Sequence, residues 1–210
     1  MKALCVLVLV AAAGCAAAPA KKCPEIPRAA PSAGEPAFPA FPLAALKGPH
    51  ARSVKLYINA DGSFHKYVVY VDRAAIPDWV HKMADKEIGT GEEMELEVEQ
   101  YDDGTKVYEV TRKVAGKLLE LSVRAEDRKK HYIERKDAPL SEMPAKVKTT
   151  AEGVQGFTVK RYEVKEMASG EKLHEVEGEY SGGKVSLYIT EDGVIKHRFA
   201  ELPAKVKVAW

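Results

Sequence analysis

Apolar and polar residues alternate along much of the chain after position 51, which is the period of a β-strand. Met94, Leu96 and Val98 alternate with glutamates, so one face of that predicted strand is apolar and the other is acidic. Two-residue hairpin signals recur at Asp61-Gly62, Asp103-Gly104, Ser169-Gly170, Gly182-Gly183 and Asp192-Gly193. The pattern therefore predicts antiparallel strands joined by tight turns.

A different period follows an apolar-proline step, which occurs at Ile76-Pro77, Met143-Pro144 and Leu202-Pro203. Proline is tolerated at the first helical position, so each step is predicted to open a helix. Apolar stripes at helical spacing follow the first two steps: Ile76, Val80, Met83 and Ala84 in one, and Met143, Val147, Ala151 and Val154 in the other.

The sequence repeats internally. Residues 96–123 align without gaps on residues 162–189, at an offset of 66. The predicted fold class is α+β, built from tandem repeats of one helix plus a four-stranded antiparallel sheet. About two and a half units are expected, at 51–75 (partial), 76–142, 143–201 and 202–210 (partial), with up to ten strands and two helices. The helices should cover one sheet face and leave the other in solvent.

The N-terminus has the pattern of an export signal. One lysine precedes an apolar stretch of about ten residues, too short for the roughly 20 needed to cross a bilayer as a helix. Residues 1–15 are predicted to be a signal peptide with a lipobox-like end, where Cys15 is lipidated. Ordinary secretory cleavage between residues 16 and 20 is the alternative. The Pro- and Ala-rich segment 16–50 reads as a tether, in which Cys23 is a free thiol or forms an intermolecular disulfide. The expected location is the bacterial cell envelope, as an outer-membrane lipoprotein that faces the periplasm and is held to the membrane by its lipid anchor.

Charge and cysteine content narrow the function classes. The 32 Lys and Arg residues against 31 Asp and Glu give a net charge of +1, which argues against a nucleic-acid binder. Three cysteines are too few for a disulfide-dense scaffold.

Catalytic signatures are lacking in the sequence. It contains no Gly-rich phosphate loop, no Gly-x-Ser-x-Gly elbow and no His-Glu-x-x-His motif, and its six histidines are scattered. His174 aligns with Tyr108 of the other repeat, which favours a packing role, and Trp79 is expected in the core. We expect no enzymatic activity, no cofactor and no metal.

The polar sheet face is the candidate binding surface. Its proposed partner-binding residues are Glu95, Glu97, Glu99, Glu109, Lys113, Arg124, Glu175, Glu177 and Glu179. A solvated face with cross-strand charge pairs is the simpler interpretation, and a charge-patterned docking surface is the alternative. Calcium binding is a minor third interpretation, because alternate residues on flat strands do not converge.

Several short motifs resemble the PepSY-like family of periplasmic proteins, also called β-lactamase-inhibitor-like. They are the Leu/Met-Pro-Ala-x-Val helix start, Tyr162-Glu163-Val164, His174-Glu175-Val176 and the closing hairpin at 187–193. The first unit departs from the pattern at Asp78-Trp79 and at 124–130. The resemblance implies a secreted α+β module, usually without catalysis, that in some members inhibits or regulates a peptidase or hydrolase.

The expected function is therefore binding of an unidentified envelope protein through the open sheet face, with hydrolase inhibition or regulation as its specific form. The alternative is a structural or accessory lipoprotein that self-associates or assembles through its sheet edges. A small-molecule carrier would require an apolar cavity between helices and sheet.

Overall fold

The computed structural model describes residues 7–12, 51–59 and 63–204, with side chains described for 55–59 and 63–201. The described strands are β1 (Leu7–Ala12), β2 (Ala51–Asn59), β3 (Phe64–Val71), β4 (Glu92–Tyr101), β5 (Lys106–Val114), β6 (Lys117–Arg124), β7 (Lys130–Arg135), β8 (Phe157–Met167), β9 (Lys172–Tyr180), β10 (Gly183–Thr190) and β11 (Ile195–Ala204). Helix α1 spans Asp78–Glu87, between β3 and β4, and helix α2 spans Ala145–Glu152, between β7 and β8. Across the parts of the chain that the structure describes, neither helix has the length and apolar character to cross a membrane.

Ten consecutive strands form one antiparallel meander. Each strand from β2 to β11 pairs with the next one along the chain. Strand β1 lies between the two ends of this meander, parallel to β2 and antiparallel to β11, so the sheet closes on itself. The predicted α+β class, the antiparallel sheet and the two helices are confirmed.

Each helix packs an apolar stripe on the outer face of the sheet. Val80 and Ala84 of α1 are fully buried against a core that includes Val110 and Leu121. The second core is arranged in the same way, with Val147 and Ala151 of α2 packed beside Tyr162, Val176, Leu187 and Ile189. The predicted stripes are confirmed, and Trp79 packs on the first core with its ring edge-on to Tyr108.

The prolines differ from the prediction in two respects. Pro77 and Pro144 are N-caps in extended conformation, one residue before the helices begin. The third step does not open a helix, because Leu202 and Pro203 continue β11, where Pro203 lies opposite Val8 of β1. The fixed φ of proline is also compatible with extended backbone, so an apolar-proline step alone does not decide between helix and strand.

The predicted turns at Gly104, Gly170 and Gly193 are confirmed, whereas the turn predicted at Gly182-Gly183 is formed by Ser181 and Gly182, because Gly183 begins β10. Gly104, Gly170, Gly182 and Gly193 all have φ between 80° and 90°, a region that favours glycine. The predicted Asp61-Gly62 turn lies outside the described residues. Gly178 is required for another reason: a Cβ atom there would lie 2.3 Å from the carbonyl oxygen of Thr158 and 2.6 Å from the Phe157 ring.

The two repeats join at a short boundary. Each helix is followed by four strands, but all of these strands belong to one sheet, so separate four-stranded sheets are not observed. At the boundary, β7 and β8 share only four facing pairs, from Tyr132–Met167 to Arg135–Val164, whereas β8 and β9 share nine. The expectations for Cys15, the 16–50 tether and Cys23 lie outside the described residues.

Candidate functional site

The inner face of the sheet surrounds a polar cavity of about 540 Å³. Strand alternation creates it: residues that alternate with the apolar core positions point away from the helices and into the space that the curved sheet encloses. All ten strands of the meander contribute lining residues. Most of these side chains are charged or tyrosine, so the cavity is not the apolar one that a carrier of apolar ligands would need.

Buried acidic groups outnumber basic ones on this face. Seven glutamates are at least nine-tenths buried: Glu97, Glu99, Glu109, Glu120, Glu134, Glu163 and Glu175. Three lysines, Lys66, Lys136 and Lys165, reach among them with side chains 14–19% exposed. Burying an unpaired carboxylate is costly, so the excess must be protonated or balanced by a cation.

Three of the glutamates form a first acidic cluster, Glu97, Glu109 and Glu120. Glu97 lies directly opposite Glu109 in the β4–β5 pair. On β6, Glu120 lies opposite Thr111, two residues along β5 from Glu109. One carboxylate oxygen from each glutamate lies within 4.8 Å of the other two. The curvature of the sheet therefore brings together side chains that a flat sheet would keep apart.

The members of the first cluster differ in protonation. Burial raises the pKa of Glu120, but Lys136 and Lys165 together with hydrogen bonds outweigh it and lower this pKa to about 2. The Lys136 Nζ donates to Glu120 at 2.8 Å and the Thr111 hydroxyl at 2.9 Å. Burial and the negative charge of Glu120 raise the pKa of Glu97 to about 8. Burial, and then the charges of Glu99 and Glu120, also raise the pKa of Glu109 well above its ordinary value.

A second acidic cluster consists of Glu134, Glu163 and Glu175, also with one oxygen each within 4.8 Å. Glu163 lies opposite Glu175 in the β8–β9 pair, as Glu97 and Glu109 do 66 residues earlier. Here Lys165 contacts two carboxylates, with its Nζ 3.3 Å from Glu134 and 3.5 Å from Glu175. Arg161 lies 2.7 Å from Glu163. Cations of the chain itself therefore contact every member of the second cluster.

The pKa directions in the second cluster follow these contacts. Burial raises the pKa of Glu134 and Glu163. Burial also acts to raise that of Glu175, but Lys165 and hydrogen bonds from Tyr188 and Ser186 lower it overall. Lys165 is thus the main counter-charge of this cluster.

A third group pairs Lys66 with Glu99. The Lys66 ammonium contacts the Glu99 carboxylate and lies 4.9 Å from the centre of the Tyr57 ring and 5.2 Å from that of Tyr101. The Tyr101 hydroxyl donates to the other Glu99 oxygen at 2.7 Å. This carboxylate is fully partnered, in contrast to Glu97 beside it on β4.

The structure corrects the expectation of a wet sheet face. Of the predicted partner-binding residues, Glu97, Glu99, Glu109 and Glu175 are buried rather than exposed, because the ten-stranded sheet curls and its polar side chains converge. Glu177 lies beside them and is mostly buried, with a side chain 13% exposed. Glu95, Lys113, Arg124 and Glu179 are exposed. The prediction that alternate residues on flat strands do not converge was wrong, because this sheet is curved.

Several inner-face residues were not predicted from the sequence: Lys66, Glu120, Glu134, Lys136, Glu163 as a cluster member, and Lys165. Glu120 stands between Leu119 and Leu121 on β6, which is the pattern of a single inward polar residue, whereas Glu134 stands between Ile133 and Arg135 and has no such signal. The 66-residue offset also relates Glu97 to Glu163, which was a usable signal. His174 has the predicted packing role, buried with its Nδ1 2.7 Å from the Tyr162 hydroxyl and its ring stacked on that tyrosine.

No protein-family model and no curated protein matches the chain. Solved structures that are similar include a BLIP-like protein from Bacteroides fragilis NCTC 9343, 18% identical, covering 66% of this chain and 98% of its own, with a TM-score of 0.45. A DUF2874 family protein from Bacteroides uniformis ATCC 8492 is 14% identical, with 60% and 89% covered and a TM-score of 0.47. A candidate periplasmic protein from Bacteroides eggerthii DSM 20697 is 14% identical, with 59% and 88% covered and a TM-score of 0.46.

The neighbours thus include a BLIP-like protein, the group that the sequence motifs resemble. Sequence identities of 18% or less and TM-scores below 0.5 carry no conclusion about activity, ligand or partner. The functional argument therefore rests on the inner face itself.

Proposed function

We propose that this chain is an exported, non-catalytic envelope protein that binds another protein at the mouth of its acidic cavity. The observation that carries the proposal is the charge imbalance of the inner face, where seven buried glutamates meet three lysines and Arg161. A cavity with excess negative charge favours an occupant that presents a positive charge. The partner therefore contributes a protruding basic segment, rather than a flat surface.

Exposed residues at the cavity mouth make the first contact in this proposal. Glu95 lines the cavity and is exposed. Glu201 also lines it, and Lys184 bridges Glu201 and Glu177 at 3.3 and 3.2 Å. Exposed charges of this kind affect association rate and specificity more than the stability of the complex.

The test is capture from native envelope extract with the full chain as bait. Wild-type protein is compared with Glu95→Lys and with Glu179→Lys, which makes the same charge change at an exposed residue outside the cavity lining. One stoichiometric partner, released by moderate salt, lost with Glu95→Lys and kept with Glu179→Lys, is the expected result. Equal recovery with both variants, or recovery of no other protein, would refute the proposal.

Inhibition or regulation of a hydrolase is the specific form that the family resemblance suggests. An activity assay on the captured partner, with and without the purified chain, tests this form separately. If the activity of the partner does not change, the proposed binding stands and the proposed inhibition is refuted.

A second candidate function is assembly through sheet edges, and the placement of β1 favours it. Cleavage at the predicted lipobox would remove Leu7–Ala12, which pairs with Leu56–Asn59 of β2 and with Phe199–Ala204 of β11. Two strand edges would then lack their partner, and such edges are templates for pairing with another chain. Sedimentation of the processed protein isolated from cells distinguishes the functions: concentration-dependent self-association supports assembly, and a monomer at all concentrations excludes it.

A further inference from the structure

Two of the three glutamates in the first acidic cluster have no positively charged partner among the described residues. Lys136 balances Glu120 at 2.8 Å, but no Lys or Arg of the described chain lies within ion-pairing distance of Glu97 or Glu109. The Tyr132 hydroxyl donates a hydrogen bond to Glu109 and brings no charge. Two buried carboxylates are therefore left over, and their combined charge matches that of one divalent cation.

A buried hydroxyl without a partner points at the same cluster. Ser122 is fully buried, and its Oγ has no hydrogen-bond partner in the described structure. Ser122 lies directly opposite Glu109 on the neighbouring strand and two residues after Glu120 on its own. Its strand neighbours Leu121 and Val123 point into the apolar core, so its hydroxyl lies on the inner face with the carboxylates. Buried polar atoms almost always have a partner, so this one indicates a missing ligand or water.

We propose that Glu97, Glu109 and Glu120 bind a calcium ion on the inner sheet face, with the Ser122 hydroxyl as an additional oxygen ligand. The three carboxylates all line the cavity, which gives the ion a path from solvent. Hydrogen bonds from Lys136 and Thr111 hold Glu120 in place, and the Tyr132 hydroxyl does the same for Glu109. The site does not depend on the protein partner proposed above.

Oxygen-only ligands and their spacing favour calcium over other common cations. Carboxylates and hydroxyls are hard ligands, which suit Ca²⁺ and Mg²⁺ rather than zinc or copper. Ca²⁺ accepts oxygens at about 2.3–2.6 Å in flexible geometry, so opposed ligands lie roughly 4.6–5.2 Å apart. The three carboxylate oxygens all lie within 4.8 Å of one another, so a single Ca²⁺ can contact all three. Mg²⁺ demands near-octahedral ligands at about 2.0–2.1 Å, which side chains on three adjacent strands meet less readily.

The second acidic cluster provides a matched control within the same chain. Its three glutamates are also buried with one oxygen each within 4.8 Å, and Glu134 Oε1 has no hydrogen-bond partner among the described residues, but Lys165 and Arg161 already supply counter-charge to all three glutamates. Glu163 is the repeat equivalent of Glu97. The proposal therefore assigns calcium to the first cluster and not to the second.

Calorimetric titration with CaCl₂ of the purified full chain, freed of metal with a chelator, tests the proposal. The expected result is one Ca²⁺ bound per chain and a higher unfolding temperature with calcium. Glu97→Gln and Glu109→Gln should weaken binding at least ten-fold, while Glu163→Gln should leave it within two-fold. MgCl₂ in a parallel titration should bind more weakly.

Three outcomes would refute the proposed site. The first is no calcium binding at about 10 mM CaCl₂, well above the range of weak extracellular sites. The others are unchanged calcium affinity in Glu109→Gln, and a loss of affinity in Glu163→Gln as large as that in Glu97→Gln. If the glutamine variants fail to fold, terbium is the probe for the wild-type protein. The Tyr132 ring should sensitise terbium emission that excess calcium removes, and Ser122→Ala should weaken it several-fold. Absence of that emission, or an unchanged signal in Ser122→Ala, would also refute the proposal.

Discussion

Glu97 lies directly across the β4–β5 pair from Glu109, and both side chains are buried on the inner face of the sheet. Like charges in this position repel each other. The raised pKa values of both carboxyls mean that, without a bound cation, the folded protein holds protons there which the unfolded chain would release.

The metal-free protein should therefore lose stability as pH rises. The pKa of Glu97 is about 8 in the folded state against an ordinary 4.5, so the folded chain binds more protons between these values. The free energy of unfolding should fall by about 2–4 kcal/mol from pH 5 to pH 8 in the presence of chelator. Urea unfolding across this pH series measures the change.

Glu97→Gln serves as the control for that pH dependence. The amide has the shape of the protonated carboxyl and does not titrate, so the variant should be less pH-dependent and more stable than wild type at pH 8. Glu120 contributes no slope in this window, because its pKa of about 2 makes it ionised throughout. Because histidines with lowered pKa values, such as His131, titrate in the same window with the opposite sign, the comparison decides: a Glu97→Gln variant with the same pH dependence as wild type from pH 5 to 8 would contradict the raised pKa of Glu97.

Lys165→Met should strongly destabilise the fold. The ammonium of Lys165 contacts Glu134 and Glu175, and its loss leaves buried carboxylates without their main counter-charge. Removing one partner of a buried ion pair costs about 3–5 kcal/mol. Lys160→Met on the same strand is the matched control, because Lys160 and Glu179 are both more than half exposed and such pairs contribute about 0–1 kcal/mol. Similar unfolding midpoints for the two variants at pH 7 would show that Lys165 is not a structural counter-charge.

Gly178→Ala should unfold the protein at markedly lower urea concentration than wild type. The added Cβ would lie 2.3 Å from a backbone carbonyl oxygen, which cannot move without disturbing the β8–β9 pairing. Overpacking of this kind costs about 1–3 kcal/mol or more. Gly183→Ala is the control, since its Cβ would meet no atom closer than 3.6 Å. Equal stability of the two variants would mean that the strands separate at low cost.

Cys15→Ser should move the protein from the membrane fraction to the soluble fraction. Lipidation of the predicted lipobox cysteine is the anchor that the sequence suggests, and acyl chains contribute about 0.8 kcal/mol per buried methylene. Fractionation of the envelope followed by immunoblotting measures the shift, with Cys23→Ser as the control. Soluble wild-type protein would favour ordinary secretory cleavage.

Local pattern was sufficient to predict an antiparallel sheet of up to ten strands and both helices, but not β1, which lies in the segment predicted to be a signal peptide. The glutamate alternation of β4, the Gly104 and Gly170 turns and the Val80 and Val147 stripes depend on residues near one another in sequence. Leu202-Pro203 was misassigned because the same dipeptide fits a helix start and an extended strand, and the pairing with β1 is a long-range feature.

Only part of the candidate site could be predicted from the sequence, because its burial depends on long-range pairing between strands. Glu97 and Glu109 were selected, but as exposed residues, because the curvature that buries them is a property of the whole ten-stranded sheet. The alternating glutamate pattern does not single out Glu120, because it is one acidic residue between two leucines, although it completes the first cluster. The lack of a hydrogen-bond partner for the Ser122 hydroxyl is visible only in three dimensions.

The short boundary between β7 and β8 has a consequence for how such a chain can change in length. Each half of the meander has its own helix and its own apolar core, and only four facing pairs join the halves there. Insertion of a helix with four strands at this point would leave both cores intact, and deletion of the second such unit would leave the core of the first in place. The circumference of the sheet, and with it the width of the enclosed space, is then set by the number of units in the chain.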